Sequence, residues 1–530
     1  MKKQIYLSRF IIETTSPFAI KSGNAGITLD SLVARDANDL PYIPATSLTG
    51  VLRSILPLDL DHWFGIEDKD NDKSKGSQVI LSDAYLMDED GKTVLTGLRD
   101  KISPYAKSFK SYVVRDRVKI NDKGVATNQG KFDEELVPKG VRFAFMMEIQ
   151  DDNGELEEKE WFDLLSLFNA PEFRIGGGSR NGRGVFKVID CSIKKYDLSD
   201  KDALKGYLEQ PFNPASPILK GEKFTFNSTS NTNWKKYSLK LTARDFFHFG
   251  AGFGDEEVDN TVKKEVVIRW DSNGKANWQE NDEAIWQFLI PATSIKGALS
   301  HRFAYHYNRE DGHFSDKEIK GNENTGPDGE KEISAYFSTL GVDDNNLSIE
   351  ELKELQGKLA SMQPSEFFDK NTAWKNFEAD CEKAKGKGMT RSEAVEINNG
   401  VKELFGYEGN PYDKEAKAKR GNVLIHDIYF KKEAITEKLF NHVAIDRYTG
   451  GAKAGALFNE KAAAVKDNTC IILDVYVNKT TLEDNPRITS AWEATLNDLI
   501  EGRLPLGGKT NYGHGIFTGQ ITINQGNEKD

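Results

Sequence analysis

Residues 174–188 read RIGGGSRNGRGVFKV, with five glycines and three arginines in fifteen positions, followed by a strand-like run. Backbone N–H groups of such a loop can approach phosphate oxygens closely, because glycine has no Cβ in the way. Gly176, Gly177 and Gly178 would form the cradle, and Arg180 and Arg183 would add charge-assisted contacts to the same sugar-phosphate chain. A second loop, RLPLGGKTNYGHGIFTG (503–519), offers Gly507, Gly508, Lys509, Asn511 and His514 and is less basic. The bland alternative for both is a tight turn between a helix and the last strand. YIPATSLTGVLR (42–53) places Thr46 and Ser47 ahead of an apolar 3–4 periodicity, an N-capping pattern. Its helix N-terminus suits a phosphate, with Arg53 nearby, and LIPATSIKGALSHR (289–302) repeats it with Thr293, Ser294 and Lys296. His248 and His442 have no histidine partner at a fixed spacing, so structural or stacking roles are expected rather than acid–base catalysis.

These loops recur because the chain repeats itself. FGIEDKD and VILSDAYL (64–86) return as FGYEGNP and VLIHDIYF (405–430), and RDRVKINDKGVATNQGKFDEE (115–135) matches IDRYTGGAKAGALFNEK (445–461). Four blocks recur in one order, so the chain is read as two copies of one domain. The first occupies 1–200 and the second 236–530, with a Pro/Ser/Asn-rich linker at 201–235. The second copy carries an insertion at about 308–400 with helical patterning such as SIEELKELQGKLASM. RFAFMMEIQ (142–150) and CIILDVYV (470–477) read as central strands, and EWFDLLSLF (160–168) and SAWEATLNDLI (490–500) as covering helices. This βαββαβ-like order predicts an α+β fold, two tandem ferredoxin-like or RRM-like domains.

Composition fits a folded, soluble protein: 530 residues, 38% hydrophobic and 10% aromatic. The opening MKKQIYLSRFIIETT alternates apolar and polar residues and reads as a strand, not a signal peptide. No apolar run suits a membrane span, and Cys191, Cys381 and Cys470 lie too far apart for zinc or a disulfide framework, which suits a reducing cytoplasm. Net charge is −12, but residues 308–400 alone hold 20 acidic and 12 basic side chains. The remainder is nearly balanced and can present basic grooves to nucleic acid, while the acidic insertion is suited to docking a neighbouring protein.

LDSLVARDANDLPYIPATSLTGVLR (29–53), GGGSRNGRGVFKV (176–188), FLIPATSIKGAL (288–299) and PLGGKTNYGHGIFTG (505–519) together resemble the RAMP superfamily. Both copies look like its backbone subunits, which stack along guide RNA in type III CRISPR effector complexes, and the fusion resembles a double subunit of type III-D-like systems. The resemblance implies protruding β-hairpin thumbs at about 95–140 and 430–466 that lie across the guide–target duplex and flip out a base pair. Arg115, Arg117, Lys119 and Phe132 would serve the first thumb, and Arg447, Tyr448, Lys453, Leu457 and Phe458 the second. Implied partners are guide RNA, target RNA, other RAMP subunits, the large polymerase-like subunit and small helical subunits, with no membrane.

The same resemblance implies cleavage of target RNA by an aspartate in the loop before the RD…PYIP block, here Asp30. Such a carboxylate holds Mg²⁺ (or Mn²⁺) and helps orient the 2′-OH for in-line attack, giving a 2′,3′-cyclic phosphate and a 5′-hydroxyl. In the second copy, counting back five residues from Arg269 gives Lys264; the loop also holds Asp255, Asp259 and Glu265, of which Asp259 is preferred. Loss of cutting in this copy, with RNA binding retained, is the alternative there. A binding-only scaffold and a standalone guide-processing endoribonuclease are the competing readings of the whole.

Overall fold

The computed structural model describes residues 3–22, 32–65, 74–109, 113–120, 126–210, 221–226, 233–252, 254, 258–279, 285–310, 398–407, 418–466 and 469–524. In the first copy β1 (Gln4–Thr14) leads to α1 (Ala45–Ile55), β2 (Val79–Leu81) and β3 (Ala84–Leu86). A hairpin follows, β4 (Val113–Ile120) and β5 (Ala126–Leu136), then β6 (Arg142–Asp151), α2 (Glu158–Ser166) and β7 (Phe186–Asp197). The second copy repeats this order with β8 (Trp234–Ala243), β9 (Lys264–Val266), β10 (Trp286–Ile290), α3 (Ala292–Glu310), β11 (Val423–Ile425) and β12 (Ile428–Phe430). Its hairpin is β13 (Ile435–Ile445) and β14 (Ala452–Val465), followed by β15 (Ile471–Asn478), α4 (Pro486–Ile500) and β16 (Phe517–Asn524).

The two sheets are built alike. β1 lies between β6 and β7, with Phe10 opposite Phe145 on one side and Cys191 on the other. β8 lies between β15 and β16, with Leu239 opposite Leu473 and Ile521. All pairs are antiparallel, and β2 and β11 extend their sheets beside β6 and β15. Helices bury one face of each sheet: α1 inserts Leu48 and Leu52, four residues apart, and α4 inserts Ile488, Trp492, Leu496 and Leu499. Asn485 caps α4 by accepting from the Ile488 N–H at 3.2 Å, with Pro486 in the first turn. The fold is the α+β tandem expected from the repeats.

Three expectations change. Thr46 and Ser47 do not cap α1; Pro44 holds that position and the Asp83 carboxylate takes the Ala45 N–H at 2.7 Å. The expected linker contains a helix, Lys201–Leu208, and a short strand, Glu222–Lys223, paired with β7, while Phe224 and Phe226 pack on the first core. Ile268 and Ala276, though beyond the expected boundary, belong to the first core as well. The helical insertion predicted at about 308–400 lies outside the described residues over 311–397.

The copies are locked by a buried ionic joint. Arg115 on β4 is 3% exposed and donates to Glu265 at 2.7 and 2.5 Å and to Asp427 at 2.8 Å. Burial alone would lower its pKa, but Asp427 and Glu265 outweigh that and raise it. Beside it Arg174 donates to the Ile425 carbonyl at 3.1 Å and lies 3.4 Å from His426 Nε2. Burial, then the Arg174 charge, lowers the His426 pKa from 6.5 to about 3. The native chain therefore refuses a proton that the unfolded chain accepts below pH 6.5, so this stability is present above that pH and lost as pH falls toward about 3. Thermal melting is expected to decline from pH 6.5 downward by up to about 1.4 kcal/mol per unit, and less steeply in His426→Gln. Equal slopes in differential scanning fluorimetry would contradict this.

Candidate nucleic-acid interface

The two glycine loops share one backbone and have different neighbours. Each is a turn flanked by left-handed residues, Gly178 and Gly182 in the first copy, Lys509 and Gly513 in the second. The Gly177 N–H donates to Ala19 O at 2.9 Å and the Gly508 N–H to His248 O at 2.7 Å. A Cβ on Gly176 or Gly507 would collide with those same carbonyls, so these glycines answer to a close main-chain crossing. The amides of Gly177 and Gly508, two of those expected to cradle a phosphate, are already used within the fold.

The first loop faces the second copy. A Cβ on Gly182 would strike Ala292 at the start of α3. Arg180 donates to Gly421 O at 2.7 Å and sits over the Trp234 ring; burial and the Arg420 charge lower its pKa to about 10. Arg183 is 1% exposed and bonded to Glu134. Lys296 approaches Asn181 at 3.4 Å, its pKa lowered to about 8 by burial and then Arg180. Arg115, Arg180 and Lys296, expected on RNA, thus hold the two copies together, Arg183 is buried against Glu134 of its own copy, and Thr293 and Ser294 lie in the same helix turn as Lys296. Arg174 was missed in this role, although it opens the same arginine-rich stretch.

The second loop is open, with Gly507, Gly508, Asn511, Tyr512 and Gly513 exposed. It rests on the base of hairpin β13–β14. His442 stacks on Phe458 at 4.8 Å and on Tyr512 at 5.6 Å, both within about 21° of parallel. Lys509 Nζ lies 5.1 Å from the Phe458 ring and 5.3 Å from that of Tyr512. Beneath the rings Glu460, 1% exposed, takes Lys509 at 2.9 Å and the His442 Nε2–H at 3.1 Å. Burial opposes its ionisation, but Lys509, His248 and His442 outweigh that and hold its pKa below the usual range. His248 donates from Nδ1 to Lys461 O at 3.0 Å, and burial lowers its pKa. His514 joins through Phe440 at 5.5 Å.

This cluster of His248, His442, His514, Glu460 and Tyr512 escaped reasoning from spacing alone. A signal did exist in the repeat, where Ala19, Arg117 and Arg183 of the first copy become histidines in the second. Along the hairpin, Leu439, Val443, Ile445, Tyr448 and Leu457 are exposed apolar or aromatic side chains, with Arg447 and Lys453 near the tip. The surface couples rings to cations, which suits stacking of unpaired bases beside a phosphate chain. In the first hairpin Arg117 pairs in register with Phe132, and Lys119 follows on β4; the side chains of all three are outside the described set. Thr46 and Ser47 lie in the accessible first turn of α1, while Arg53 is engaged by Asp61 at 3.1 Å and Gly65 O at 3.0 Å.

Asp30 and Asp255 lie outside the described residues. Asp259 is exposed, and its Oδ2 accepts from the Asn459 N–H of β14 at 2.9 Å, so it stands at the hairpin base. Gly250 bridges Val262 as Lys21 bridges Val33, and Lys264 pairs with Phe288 as Arg35 pairs with Pro41. Lys264, not Arg269, therefore corresponds to Arg35, and Asp259 precedes Val262 by three residues as Asp30 precedes Val33. Glu265 is buried against Arg115 and is no candidate for cutting. Among the described residues no group of three His, Cys, Asp or Glu could enclose a metal ion.

Among the described residues no helix is long and apolar enough to cross a membrane. The family model of the RAMP superfamily matches residues 11–187 and 287–518, which span both copies. No curated protein matches the chain.

Proposed function

This chain belongs to the RAMP superfamily of CRISPR-associated RNA-binding subunits, and on that premise we propose that it is a tandem backbone subunit of a type III-like RNA-guided effector complex. Guide RNA runs along the open face of the second copy, and target RNA paired to it crosses the hairpins. The protein reads backbone and duplex shape, and base pairing supplies sequence. Target cleavage falls to Asp30, with Asp259 at the corresponding place in the second copy. Mg²⁺ or Mn²⁺ held there would offset charge on the reacting phosphate; the chain's own part is to fix a carboxylate beside a displaced nucleotide.

The observation that carries the binding reading is the His442–Phe458–Tyr512 stack, half-buried at His442 and Phe458 and open to solvent at Tyr512, with Lys509 alongside. Fluorescence anisotropy with a labelled single-stranded RNA tests it. Tyr512→Ala with His442→Ala is expected to weaken binding by roughly 1–3 kcal/mol per stacked base, and wild-type affinity is expected to fall steeply with salt. A folded wild-type chain that ignores RNA, or a double variant that binds like wild type, would remove this reading.

A further inference from the structure

The joint between the copies contains a socket, and the first copy has the same socket with no arginine in it. In the second copy Asp427 takes the Ala292 N–H through Oδ1 at 2.8 Å and Arg115 through Oδ2 at 2.8 Å, while Glu265 and Tyr429 complete the site. The matching residues of the first copy are Asp83, Asp36 and Tyr85. Asp83 takes the Ala45 N–H through Oδ1 at 2.7 Å, and Tyr85 OH lies 3.5 Å from its Oδ2. Asp36 stands at Glu265's place by the bridges that align the loops, its Oδ1 accepting from the Asn38 and Leu40 N–H groups at 2.8 and 3.0 Å. Asp427 has no side-chain exposure, whereas Asp36, Asp83 and Tyr85 are only half-buried. Among the described residues neither Asp36 nor Asp83 has a cation within ion-pair distance.

We propose that this face docks a different protein subunit of the same fold, which inserts an arginine from its hairpin strand and seats an arginine-bearing glycine turn against the start of α1. The occupant is fixed by what fills the equivalent socket: Arg115, with Gly182 of the arginine-bearing first loop against Ala292 and Asp427. A second copy of this chain does not fit. Arg115 stands opposite Glu134, and its counterpart opposite Glu460 is Phe440. Arg174, Arg180 and Arg183 are likewise replaced by Pro505, Asn511 and His514. The chain thus accepts an arginine at one end and offers none at the other, which stops self-polymerisation and sets one direction of stacking. From the proposed function this takes only that further subunits of this fold exist.

The test needs no RNA, so its failure is separable from that of the binding reading. In full-length protein, residues 505–516 are replaced by the sequence of 174–185 together with Phe440→Arg. Sedimentation velocity is expected to show monomer for wild type and concentration-dependent head-to-tail association for the graft. Adding Asp36→Asn and Asp83→Asn, which keep the backbone-accepting oxygens, is expected to weaken that association on the order of 30-fold or more. Should the loop graft misfold by circular dichroism, Phe440→Arg with His514→Arg is the milder donor. A folded donor that stays monomeric, or association indifferent to the two asparagines, overturns the proposal. So does wild-type self-association that Asp83→Asn abolishes.

Discussion

Replacing Arg115 by methionine is expected to destabilise the folded chain by about 3–5 kcal/mol, the loss seen when one partner of a buried ion pair is removed. The side chain is almost completely buried, and so are both carboxylates it serves. Without it Glu265 and Asp427 remain as two like charges in a site that excludes water, with much of the cost of burying each left uncompensated. Methionine fills much of the volume, which separates lost charge compensation from lost packing. Glu265→Gln in the same background is expected to recover part of the loss by removing one stranded charge. The check is thermal melting of the full chain with limited proteolysis, because a protein of this size need not unfold in one step. Unchanged melting in Arg115→Met would show that the joint is held elsewhere.

That arginine also shows where a sequence stops being informative. The βαββαβ order and the central strands were legible because each rests on local periodicity, and because four blocks repeat; the hairpins were implied only by the family resemblance. The role of Arg115 was not, since a basic residue on a strand next to Arg117 looks the same whether it meets a phosphate or a distant carboxylate. Its partners lie 150 and 312 residues away. The glycine loops misled for a related reason: glycine reports that something comes close, and here the neighbour is a carbonyl or the Cβ of Ala292. The PATS blocks pointed correctly to a helix start, yet the cap came from Asp83 and Asp427, each between two short strands, rather than from Thr or Ser. Repetition also hid a difference. One loop became a joint and the other stayed open, and only the substitution pattern, arginines replaced by His514 and Asn511, marked the change.

Asp30→Asn is expected to lower target cleavage at the positions served by the first copy on the order of 10²-fold or more, in an assembled complex with guide and target RNA, while RNA binding stays near wild type. Asparagine keeps the shape and hydrogen-bonding oxygen but loses the charge that would hold a divalent cation or draw the 2′-OH proton. On the proposed reading the hairpin displaces a nucleotide, because stacked A-form geometry keeps the 2′-OH out of line with the adjacent phosphate. Asp259→Asn asks the same of the second copy. The side chain there is anchored through Oδ2 to the Asn459 N–H, so a dependent cut should map to the foot of hairpin β13–β14. Mapping labelled target fragments with and without Mg²⁺ separates the outcomes, and products ending in a 2′,3′-cyclic phosphate are expected. Loss of one set of cuts in each variant assigns one centre to each copy, and loss in Asp30→Asn alone leaves the second copy as a binder. If every cut persists in the double variant, both copies hold RNA for a nuclease located elsewhere, and the scaffold reading takes the place of the enzymatic one.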